Sequence, residues 1–165
     1  MSLSRFAATI VLALLSGAAS AESTFTRADA ERFHSIATRL AVATVDITQA
    51  MRQTTASPQT TNCLSGIHDA GASVTESVTA AWRLIALAAS MRDEADELLV
   101  VAALADSLAA TNVAMTGTRQ TINGWMGLCS FAPIVAAKGQ ALINLVSETE
   151  QMVGPVSQKI RGRLK

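Results

Sequence analysis

At 165 residues the chain has room for one domain, and its 13 basic residues balance 13 acidic ones. That balance argues against bulk nucleic-acid binding, which leaves a basic excess. Half the residues are hydrophobic but only 4% are aromatic, with no tyrosine, a composition suited to closely packed helices and poor in what strands need.

Residues 1–21 carry the parts of a secretory signal: Arg5 as the positive charge, Phe6 to Leu15 as the apolar core, and Ala19-Ser20-Ala21 as a small-x-small cleavage site. The apolar core falls short of the roughly twenty residues a spanning helix needs. No cysteine follows the cleavage site to carry a lipid. The expected mature chain is residues 22–165, a single domain with no transmembrane helix and one more acidic than basic residue.

The first helix is expected from Thr26 to about Thr55, with Thr26 and Asp29 at capping-box spacing. Its seam is Phe33, Ile36/Ala37, Leu40, Ala43, Ile47 and Ala50/Met51. Arg32, Arg39 and Asp46 recur every seven residues beside that seam, where interhelical charge pairs belong. Residues 56–62 read as a polar, proline-containing loop.

Cys63 and Cys129 bracket a predicted hairpin of two long helices. In its first half Ile67, Ala70/Gly71, Val74, Val78, Ala81, Ile85 and Ala88 fall at helical steps. In its second half Leu98, Val101/Ala102, Ala105, Leu108, Asn112, Met115 and Ile122 do the same. Ser90 and Asp93 have cap spacing at the join, and Asp93, Glu94, Asp96 and Glu97 suit the positive end of a helix dipole. Gly127 is the expected left-handed stop. Helices of about thirty residues bring the two cysteines to one end, and a bridge across so long a loop is worth roughly 4 kcal/mol in the chain-entropy model. Export favours the bridge over two free thiols.

Pro133 suits the first turn of a fourth helix. Its stripe is Ile134/Val135, Ala141/Leu142, Leu145/Val146, Thr149, Met152 and Val156, with Gly154-Pro155 expected to kink or end it. Residues 156–165 are then a short basic tail carrying Lys159, Arg161, Arg163 and Lys165. Four helices with short connections predict an all-α, antiparallel up-down-up-down four-helix bundle with one disulfide, Cys63 to Cys129.

The search for chemistry returns little. Glu31-Arg32-Phe33-His34 has the Glu-x-x-His spacing of di-iron bundles, but a second copy is lacking. Asp46, His68 and Asp69 are a weak ion-binding constellation. No nucleophile elbow, Cys-x-x-Cys or phosphate loop is present. The expectation is therefore no catalytic residue, no metal and no cofactor. Trp82, Asn112, Trp125 and Phe131 are the candidates for ligand or partner contact, and the basic tail for peripheral contact with an anionic surface. The functional expectation is an exported, non-catalytic binding or scaffolding module of the cell envelope, in a bacterial periplasm, whose partner is a protein or envelope component. A carrier of a small apolar ligand between the helices is the alternative.

Overall fold

A computed structural model describes residues 23–53 and 57–165; the signal expected at residues 1–21 lies outside the described residues. Four helices follow in order: α1 Arg27–Gln53, α2 Pro58–Ala88, α3 Glu94–Leu128 and α4 Pro133–Arg163. Each start is written locally. For α1, the Thr26 backbone N–H donates to Asp29 Oδ2 (2.9 Å) and the Asp29 N–H donates back to Thr26 Oγ1 (3.2 Å), the reciprocal box that satisfies two orphan donors. For α3 the cap is Asp93, whose Oδ1 accepts from the N–H groups of Ala95 (2.8 Å) and Asp96 (3.2 Å). Ser90 instead donates to Leu87 O at the end of α2 (2.7 Å). Pro133 opens α4 as expected.

Pro58 opens α2 in the same way, behind Ser57, whose Oγ accepts from the Thr60 N–H. Most of the loop expected at 56–62 is thus the first turn of α2. Ser-Pro is a helix-start pair as much as a turn pair, because proline's missing N–H would be unpaired in that turn anyway.

α1 packs on α2 and α4, and α3 packs on α2 and α4, so the ring closes in the up-down-up-down order. The ring is not square: α2 also touches α4 across the diagonal, whereas α1 and α3 do not meet. Gly71 explains the pinch. A Cβ there would stand 2.8 Å from Leu142 Cδ2 of α4 and 3.0 Å from Thr44 Oγ1 of α1, so glycine lets the three helices converge without displacing either side chain. The disulfide Cys63–Cys129 joins α2 to the end of α3, across a sequence separation of 66 and with a Cα–Cα distance of 6.4 Å.

The expected seams hold on α1 and α2, where every seam residue named on α2 is buried. On α3 Val101, Leu108, Met115 and Ile122 are buried as expected, but between them the face turns by one residue: Glu97, Leu104, Thr111 and Thr118 are buried, whereas Leu98 and Asn112 are exposed. The polar members of that face are satisfied: Thr118 Oγ1 donates to Ala70 O (3.0 Å), and Thr111 Oγ1 lies 2.8 Å from Ser107 O and 3.3 Å from Ser77 O. These threonines tie α3 to the backbone of α2. Thr149, buried as expected, turns its hydroxyl to Leu145 O within its own helix (2.8 Å).

Gly127 is not the stop expected: it lies inside α3, which runs to Leu128 with Cys129 as its cap. Of the kink or end expected at Gly154-Pro155, the end is absent, since α4 continues through Pro155 to Arg163. The segment expected as a tail is helical because Val156 and Ile160 are buried in the core, and such packing outweighs the backbone hydrogen bond that proline removes.

Candidate functional site

Charge is distributed unevenly over the bundle. Along the α1–α4 seam Asp29 pairs with Lys159 (2.7 Å), Arg39 with Glu148 (2.5 Å), and Asp46 with Lys138. Two of the three heptad-spaced charges on α1 therefore do what their position predicted. Asp46 faces α4, so it does not join His68, whose Nδ1 lies 3.1 Å from Asp69 Oδ1. Glu31 pairs with Arg27, and His34 stacks on Trp82 with ring centroids 4.5 Å apart. Among the described residues no three His, Cys, Asp or Glu side chains form a group that could hold a metal ion.

The end opposite the disulfide is closed by a clasp that the sequence did not suggest. Glu97, 4% exposed, accepts the Thr24 N–H (2.8 Å) and lies 3.2 Å from both the Ser23 hydroxyl and Arg163 Nη2. Ser23 also lies 3.0 Å from Ala88 O. Phe25 is buried beneath this strap, with Lys159 Nζ 5.9 Å from its ring centroid. Burial pushes the Glu97 carboxyl up, but the hydrogen bonds from Thr24, Ser23 and Arg163 outweigh it and hold the group below the usual carboxylate range. Asp29 is likewise pushed up by burial and brought below its ordinary value by Lys159 and Thr26. Lys159 and Arg163 are thus engaged within the bundle, while Arg161 and Lys165 are exposed.

The candidate contact residues fall in three places. Trp82 is half-buried against His34. Trp125 lies over Gly66, which has no room for a side chain, and lines an open cleft of about 350 Å³ with Gln59, Asn62, Leu128, Phe131 and the disulfide. Asn112 lines a second open groove, about 400 Å³, between α3 and α4, and Arg161 lines it too. Asn112 and Arg161, expected in separate roles, share one surface.

Beside that groove runs the feature that reading for seams missed. The outer face of α3 carries Leu98, Leu99 and Val113, with Leu99 73% and Val113 75% exposed, among exposed alanines 102, 103, 109 and 110. Between Leu98 and Thr118 the only charged residue is Asp106. An eighteen-residue window of α3 has a mean hydropathy of 1.8, yet only 28% of it is buried. By length and composition alone α3 is apolar enough to cross a membrane, where the expectation is of no transmembrane helix in the mature chain. The signal was visible: α3 has more apolar residues than one face of a helix can use. No family model, curated protein or solved structure matches the chain.

Proposed function

We propose that this chain is an exported, non-catalytic binding or scaffolding module of the cell envelope, in a bacterial periplasm, working through the outer face of α3. One observation carries the reading: the longest of the four helices is rich in apolar residues and turns many of them to solvent. A contiguous apolar face that costs solvation free energy in the free protein is the mark of a docking surface. The disulfide is consistent with an oxidising compartment, and the signal pattern at residues 1–21 supports export. Arg161 and Lys165 remain available for peripheral contact with an anionic surface.

A hydrophobic dye tests the docking face. Bis-ANS fluorescence should rise on adding the oxidised protein and lose most of that rise in the double variant Leu99→Glu, Val113→Glu. Loss instead in Leu128→Glu, Phe131→Ser would overturn this reading. It would favour the second one, a small apolar ligand at the disulfide-end cleft, which rests on Trp125, Leu128 and Phe131 gathered around about 350 Å³. The buried stripes occupy the space between the helices, so an apolar ligand fits the surface cleft better than the interior.

A further inference from the structure

We infer that the partner on the α3 face is a second copy of this chain, docked α3 to α3 in antiparallel fashion about a twofold axis. This rests on the reading of that face as a docking surface and names its occupant. Residues 99, 103, 106, 110, 113 and 117 step alternately by four and three along the outside of α3, the spacing that keeps one line turned toward a facing helix.

Turned end over end about an axis near residue 108, that line meets its own complement. Leu99 faces the partner's Gly117, Ala103 faces the partner's Val113, and Asp106 faces the partner's Ala110. An isologous contact repeats each match, so both large side chains of each copy meet small ones. Gly117 is suited to its part, because the space where its Cβ would stand is open.

Charge supplies the second argument. Asp106 sits in the middle of an apolar face and has no ion-pair partner among the described residues. Covering it unpaired would be costly. Arg161, also without an ion-pair partner there, lines the adjoining groove with Ala105, Ala109 and Asn112, a stretch of α3 that spans the level of Ala110. The antiparallel match brings the partner's Asp106 to that level, so the two unpaired charges meet, twice by symmetry.

Area sets the strength. From residue 99 to 117 the line is roughly 27 Å long at 1.5 Å per residue, and a helix is about 10 Å wide, so α3 alone covers roughly 300 Å² per copy. Over both copies this is roughly 600 Å² before the α4 flank is counted, below the roughly 1,200 Å² of stable complexes, so the dimer is weak, micromolar at best.

Sedimentation velocity on the full, oxidised chain, from about 1 to 100 µM, the range micromolar affinity requires, is the test. The expected result is a concentration-dependent dimer. Asp106→Arg and Arg161→Asp should each weaken it by about tenfold or more, since each breaks both symmetric pairs and opposes like charges. The two substitutions together should restore most of the affinity, with circular dichroism confirming that every variant is folded. A monomer throughout would overturn the inference, as would a dimer that Val113→Glu dissolves but neither charge reversal weakens. If the chain is monomeric while dye binding still depends on Leu99 and Val113, the docking face stands and only its occupant is wrong.

Discussion

Glu97→Gln isolates what the clasp contributes. The substitution keeps the side chain's size, but the amide has one acceptor oxygen where the carboxylate has two. However it turns, its NH₂ group faces a donor: Arg163 on one side, or the Thr24 N–H and Ser23 hydroxyl on the other. A hydrogen bond to a charged group is worth about 1.5–3 kcal/mol. The larger cost of stranding a buried charge does not apply, because Arg163 is 26% exposed and keeps Glu94 at 3.0 Å. The expected loss is about 2 kcal/mol, or roughly 6 °C in Tm for a domain of this size. Its pH dependence has a definite sign. The Glu97 carboxyl is held low in the folded state, so its contribution is fully present above the ordinary value of 4.5 that the unfolded chain has and is lost as pH falls through the folded value. Thermal melts of both proteins should therefore show a gap at pH 7 that narrows below about pH 4. Hydrogen exchange at the Thr24 amide should accelerate in the variant at neutral pH. An equal Tm at pH 7, or a gap unchanged at pH 3, would refute the role assigned to Glu97.

Reduction of the Cys63–Cys129 bridge should cost up to roughly 4 kcal/mol; a urea midpoint unmoved by reductant would contradict that. Gly71→Leu should destabilise by about 3 kcal/mol or more, since the side chain enters space held by Leu142 and Thr44, whereas Gly124→Ala, with nothing within 4 Å of the new Cβ, should stabilise by about 0.5–1 kcal/mol. The pair is read from urea titrations, and equal effects at the two sites would mean that the pinch at Gly71 is wrong. Glu148→Gln breaks an exposed ion pair with Arg39 and should shift Tm by less than about 1 kcal/mol allows, an effect that fades with added salt. A large, salt-independent loss would show that the α1–α4 charges carry more of the fold than their exposure suggests.

The helical hairpin between the cysteines was legible because its first helix, α2, is amphipathic and its cysteines had to meet at one end. α3 resisted for the opposite reason. With alanine, leucine and valine on nearly every side, periodicity cannot say which stripe is inside. The expected line Leu98, Ala105, Asn112 is the true line Glu97, Leu104, Thr111 turned by one residue. What settles the turn is polar: Glu97 finds Thr24, Ser23 and Arg163, and Thr111 and Thr118 find carbonyls of α2. Those partners are distant in the sequence, so a glutamate and two threonines look like surface until the fold is known. Pro155 misled in a related way, since its local cost is plain in the sequence while the burial of Val156 and Ile160 beyond it is not. At the candidate site, Trp125 and Phe131, two of the expected contact residues, line one cleft with Cys129, whereas the α3 face emerged only once the inner stripe was fixed.

If residues 1–21 are a leader that is cut away, the clasp also orders events in time. Ser23, Thr24 and Phe25 are held against Glu97, Ala88 and the core, and a protease needs free backbone on both sides of the bond it cuts. If the leader is removed after Ala21, a single residue separates the cut from the strap. Maturation then belongs before the bundle closes, while the segment is still loose. A chain folded with its leader attached should be a poor substrate, and one in which Glu97→Ala has opened the strap a better one. The same three residues that seal one end of the fold thus set a deadline for the step that frees it.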